Sequence, residues 1–213
     1  MISLEQIKIY LPKYLSPNSE RQLFEEIAQF PDNIDQRFYT KRFWYGDTIF
    51  KGDGIKDLLV INLPDTKIAP VPSMIISNTC DISLDNVRMF SNAICYAPIF
   101  NMRKYRDSLL RRRVKSDESI EQHLDTIRKQ QITQIFYLPK GSKLEDESLV
   151  FLDRINSCQS EAVSRRDLSE KRLFTLSNYG AWLFLLKLSI HFTRFIDGVD
   201  RSEESSTMPL ETA

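Results

Sequence analysis

Apolar residues in this chain recur first at helical spacing, then in short runs broken by polar turns, then at helical spacing again. Leu23, Phe24, Ile27 and Phe30 mark the first stretch, which Ser16-Pro17 opens and Pro31 closes. Proline at a first helical position gives up an N–H that would have no partner there. An earlier capping-box pattern, Ser3-Leu4-Glu5-Gln6, predicts a short helix ending near Pro12. Residues 1–36 therefore read as a helical layer.

The period changes at Arg37. Residues 38–45 are aromatic and strand-like, Gly46-Asp47 punctuates them, and Gly52-Asp53-Gly54 is a turn signal. A strand is predicted at 58–63, closed by Pro64, followed by a loop containing Pro70 and Pro72. Short apolar runs at 74–76, 93–97, 135–138, 149–152 and 172–176 read as further strands. Such closely spaced strands predict a small SH3-like barrel or strongly bent sheet over 37–176, interrupted by a helical insert at 102–131. Residues 178–197 read as a long apolar helix stopped near Gly198, and 201–213 as a polar, fraying tail. The fold class is α+β, in one domain over 1–200.

Composition narrows the function classes. With 42% hydrophobic residues among 213, the chain has material for a substantial core. Lys and Arg number 29, as do Asp and Glu, so no overall field draws in a polyanion. Locally the insert is basic, its nine Lys and Arg facing five acids. Cys80, Cys95 and Cys158 are odd in number and form no CxxC. With no signal peptide at the N-terminus, a cytoplasmic location and free thiols are expected. His123 and His191 lie too far apart for a zinc site, no cofactor is implied, and the apolar run of 181–195 is interrupted by Lys187, His191 and Arg194. No membrane span is expected.

Polar residues cluster in places that invite chemistry. Asn78, Thr79, Cys80 and Asp81 follow a predicted buried strand, where folds often place functional side chains. They serve equally as a turn whose side chains bond the backbone. A carboxylate beside Cys80 does not activate the thiol, which needs a base from elsewhere. Lys187, His191 and Arg194 share one face of the predicted C-terminal helix. Charge on a mostly apolar helix needs partners; these are either an anion such as phosphate, with His191 moving protons, or carboxylates and solvent. In the insert, Arg103, Arg111, Arg112 and Arg113 can track a phosphate backbone or form a solvated face.

Gly46-Asp47, Leu63-Pro64, the run from Pro72 to Asn78, Ala97-Pro98-Ile99, Tyr137-Leu138-Pro139 and residues 149–152 together resemble the core of the PemK/MazF-like toxins, over about half of the chain. The resemblance implies an SH3-like barrel, commonly dimeric, that acts on single-stranded RNA without a metal, in a toxin–antitoxin or phage-defence setting. That family carries an arginine where this chain has Val71, and Thr or Ser where it has Phe100. Both positions needed for cleavage are thus substituted, which favours binding over catalysis.

Three readings remain at this stage. The chain binds RNA or DNA as a divergent barrel, with Arg103 or Arg194 as clamp; or it cleaves RNA without a metal, through Cys80, Asp81 and His191. Otherwise it is a non-catalytic subunit whose apolar C-terminal helix docks a second copy or another protein.

Overall fold

The computed structural model describes residues 16–43, 45–86, 88–112 and 116–193. The helix expected at 3–12, the stop at Gly198 and the tail lie outside these residues, as do Arg113 and Arg194.

Helix α1 spans Pro17–Ala28 and begins as its sequence predicts: the Ser16 hydroxyl accepts from the Ser19 N–H at 3.2 Å, with proline in the first turn. Its inward stripe buries Leu23 and half-buries Phe24 and Ile27 against the main core. The sheet then builds from β1 (Tyr39–Thr40), β2 (Gly54–Asn62), β3 (Asp65–Ile75), β4 (Ala93–Asn101), β5 (Ile135–Leu138), β6 (Ser148–Phe151), β7 (Asn156–Gln159) and β8 (Arg172–Leu176). All pairings are antiparallel, in the order β1-β8-β2-β3-β4-β6-β5, with β7 beside the start of β4.

This eight-stranded sheet is not closed, so the expected barrel is not formed. Strand β4 changes partner halfway: Ala93–Tyr96 pair with β7, while Ile99–Asn101 pair with β6. Where a barrel would close with a backbone ladder, side chains reach across instead. The Tyr96 hydroxyl donates to the Leu59 carbonyl, and the Asn156 amide oxygen accepts from the Ile61 N–H at 2.9 Å. Ile55, Leu58, Val60, Ile75, Ile82 and Ile94 form a second core, separate from the main one.

Two strand expectations change on folding. Among its described residues the aromatic stretch 38–45 yields only the two-residue β1, and the carbonyls of Phe43, Gly46 and Thr48 accept hydrogen bonds from Arg172 rather than from a strand. The Pro70–Pro72 loop is instead part of β3. Strand β4 pairs only with Ser73–Ile75, so prolines before that point interrupt no ladder on that open side. The turn signal is borne out at Gly52, whose φ of +87° suits glycine.

The insert folds as α2 (Met102–Arg112) and α3 (Asp117–Arg128), the latter capped by Ser116 and acidic in its first turn. Ile120, Leu124 and Ile127 of α3 pack on Ile135, Tyr137 and Leu149 of the sheet. After the short α4 (Leu168–Lys171) and β8, helix α5 (Asn178–Thr193) crosses the main core. Gly180 lets it approach closely: a Cβ there would lie 2.5 Å from the Phe38 carbonyl oxygen. The helix buries Tyr179, Trp182, Leu183, Phe184 and Leu188 but leaves Leu186, Ile190 and Phe192 exposed. No helix of the described residues is long and apolar enough to cross a membrane.

Candidate functional site

A cleft of about 860 Å³ opens between three segments: the 43–51 loop, the 78–85 turn that follows β3, and the β8–α5 junction. Phe43, Ile49, Phe50 and Leu84 contribute apolar wall, as do Ala181, Phe184 and Leu185 from α5. Polar groups reach it from Lys51, Asn78, Thr79, Arg165 and Thr175, with Asp47 and Asp85 also at its surface. The Phe43 and Phe50 rings pack on each other at 4.8 Å between centroids.

A buried ion pair shapes this wall. Arg172 and Asp53 are both fully buried, with Nε and Oδ2 3.3 Å apart. The guanidinium donates to the carbonyls of Phe43 and Thr48, each at 2.5 Å, and Gly46 at 3.3 Å, so it moulds the loop from beneath. The Asp53 carboxylate also accepts from the Phe50 N–H at 2.9 Å. Burial pushes this carboxyl up to about 6, against the opposing pull of Arg172.

The opposite wall is the turn that the sequence singles out. The Thr79 hydroxyl accepts from the Lys51 N–H at 3.1 Å, and the Asn78 amide oxygen from the Lys51 ammonium at 3.0 Å. The Asn78 amide nitrogen donates to Asp81 at 3.0 Å, and Arg88 donates to the other Asp81 oxygen at 2.6 Å. The Asn78 hydrogen bond, then the Arg88 hydrogen bond and charge, hold the Asp81 carboxyl below its ordinary range. Cys80 is exposed at the cleft, its carbonyl accepting from Asn86 at 3.0 Å. Arg165 locks the turn from behind by donating to the carbonyls of Ile82, Ser160 and Val163 and to the Ser160 hydroxyl.

His191 does not join this cleft. The lining from α5 ends at Leu185, and at 1.5 Å per residue His191 sits about 9 Å further along the axis. Its ring lies against Phe192 at 5.0 Å. The structure therefore gathers Asn78, Thr79 and Cys80 at one cleft, with Asp81 in the same turn, and leaves His191 apart. Lys187 is buried, its ammonium donating to the carbonyls of Gln130 at 2.7 Å and Ile132 at 2.6 Å. The partners its burial calls for are thus backbone oxygens in the α3–β5 turn. Arg103 pairs with Asp146 at 2.6 Å, whereas Arg111 and Arg112 are exposed at the end of α2. Val71 and Phe100 lie away from the cleft in β3 and β4, Phe100 packing edge-on against Phe151.

Burial lowers the Lys187 pKa to about 8. The unfolded chain therefore binds this proton more tightly, and stability is expected to rise between about pH 8 and 10 as the burial penalty is relieved. At about 1.4 kcal/mol per tenfold change in proton affinity, the gain is on the order of 2–3 kcal/mol. Above pH 10 the trend should reverse, because burial raises Tyr96 and Tyr179 to about 12 and the unfolded tyrosines ionise first. Urea denaturation at pH 7.5 and 9.5 tests this; an equal rise in Lys187→Met would show that another group is responsible.

Sequence reasoning missed Lys51, Asp53, Phe43, Phe50, Arg165 and Arg172. Only Gly52-Asp53-Gly54 carried a local signal, and it reads as a turn. Among the described residues no group of His, Cys, Asp and Glu is arranged to hold a metal ion. Neither a protein-family model nor a curated protein matches the chain.

Proposed function

We propose that this protein binds single-stranded nucleic acid in the cleft between the 43–51 loop and the 78–85 turn, without cutting it. The observation that carries this reading is the pairing of an aromatic wall, Phe43 and Phe50, with an amine, Lys51, whose hydrogen bond goes to the neutral Asn78 amide. Stacking surface beside positive charge is the usual means of holding unpaired bases and their backbone. Binding rather than cleavage is supported by His191 lying outside the cleft and by the engagement of Asp81 with Asn78 and Arg88. A role in a toxin–antitoxin or phage-defence system belongs to the same proposal and rests on the family resemblance alone.

The test is to incubate labelled single-stranded RNA with the wild type and with His191→Ala. Retention of intact RNA at low salt by both proteins is expected. Cutting that His191→Ala abolishes would establish the ribonuclease instead. Absence of binding at low salt would remove the proposal and leave a partner-docking subunit, which the exposed Leu186, Ile190 and Phe192 of α5 favour as second reading.

A further inference from the structure

The cleft holds two cations, Lys51 and Arg165, whose terminal donors are committed to different degrees. Arg165 spends both terminal nitrogens: Nη1 donates to the Ser160 and Val163 carbonyls, and Nη2 to the Ile82 carbonyl and the Ser160 hydroxyl. With two hydrogens on each of these nitrogens, nothing is left on them for a ligand. Lys51 is different. Its ammonium carries three hydrogens and gives one to the Asn78 amide oxygen at 3.0 Å. Asn78 in turn is fixed by Asp81, and the Lys51 backbone is fixed by Thr79, so the amine is held at the cleft by neutral groups on the facing turn. Burial lowers the Lys51 pKa, opposed by the nearby Asp81 and Cys80. Asp81 is itself neutralised by Arg88 at 2.6 Å.

We infer that Lys51 is the phosphate contact of the cleft and neutralises a single phosphate of a bound strand. This rests on the nucleic-acid reading above and adds where the charge is met. One phosphate follows from the charge around it. The exposed Asp47 and Asp85 at the same cleft disfavour a polyanion running through it, and Arg165 is committed to the protein's own carbonyls. Phe50, the residue before Lys51, presents its ring to Phe43 on the same wall, so a phosphate at the amine leaves its nucleoside beside an aromatic surface. The ligand class is therefore an unpaired nucleotide within a strand, not a duplex backbone tracked along the basic insert.

The salt dependence of affinity distinguishes these paths, because each phosphate neutralised on a single strand contributes a log–log slope of about 0.7. Fluorescence anisotropy with a short labelled single-stranded RNA would be measured across a salt series. Wild type would be compared with Lys51→Gln, Lys51→Arg and the Arg111→Gln/Arg112→Gln double variant. Lys51→Gln should weaken binding about tenfold and reduce the slope by about 0.7, while Lys51→Arg retains it and the double variant changes neither. Binding by Lys51→Gln with an unaltered slope would overturn the assignment while leaving the nucleic-acid reading in place. Loss of slope in the double variant would also overturn it, placing the backbone on the insert. If the wild type binds no RNA, the broader reading fails and this one fails with it.

Discussion

Arg172→Met should destabilise the protein by roughly 3–5 kcal/mol, the range for breaking a buried charge pair from one side. The substitution leaves the Asp53 carboxyl fully buried without its guanidinium. It also leaves the carbonyls of Phe43, Gly46 and Thr48 without that donor. Two further consequences separate this account from simple loss of packing. Asp53→Asn/Arg172→Met should be less destabilised than the sum of its single variants, since the orphaned charge is gone. Asp53 sits above the ordinary carboxyl range even in the wild type, at about 6. The penalty for its ionised form is therefore felt above that value and removed as pH falls towards 4. The Arg172→Met deficit should accordingly shrink between pH 7 and pH 5. Urea denaturation at both pH values decides it: a cost below about 1 kcal/mol, or a deficit that grows on acidification, contradicts this role for the pair.

The second large effect is expected at Gln130, at the far end of the sheet. Strand β5 is an edge, yet all four of its residues are buried. An edge so placed needs partners for its outward backbone groups. Gln130 supplies them: its amide nitrogen donates to the Tyr137 carbonyl at 2.7 Å, and its amide oxygen accepts from the Tyr137 N–H at 3.1 Å. The side chain thus imitates one residue of a neighbouring strand. Gln130→Leu keeps similar bulk and strands both groups in the interior, at a cost of about 2–4 kcal/mol. Hydrogen exchange gives the site-specific measurement. The Tyr137 amide should lose protection in Gln130→Leu while the paired amides of β2 and β3 remain slow; undiminished protection at Tyr137 would refute the edge-capping role.

Both residues show why the candidate site was only partly legible. Asn78, Thr79 and Cys80 stood out because small polar residues follow an apolar strand, a local signal, and they do line the cleft. Arg172 read as the start of a strand and Asp53 as a turn residue, and both local readings hold. Nothing in either neighbourhood announces that the two meet in the core. The basic insert illustrates the converse. Its net charge suggested a phosphate track, yet Arg103, Arg106 and Arg128 meet Asp146, Glu121 and Glu147, acids outside their own turn of helix. These pairs are partly exposed and individually weak.

What the sequence determined by itself is therefore local. The Ser16 helix start, the Gly52 turn, the helical insert and the apolar C-terminal helix follow from spacing and from the preferences of single residues, which need only a few neighbours to act. Tertiary structure decided whether the sheet closes, which wall faces the 78–81 turn and which cations remain available. It joined Asp53 to Arg172, drew Lys187 to the carbonyls beyond α3, and left Lys51 at the cleft with two hydrogens uncommitted. The physical reason is that a buried charge is governed by whatever polar atoms the packing brings within hydrogen-bond reach, and those atoms come from segments far apart along the chain.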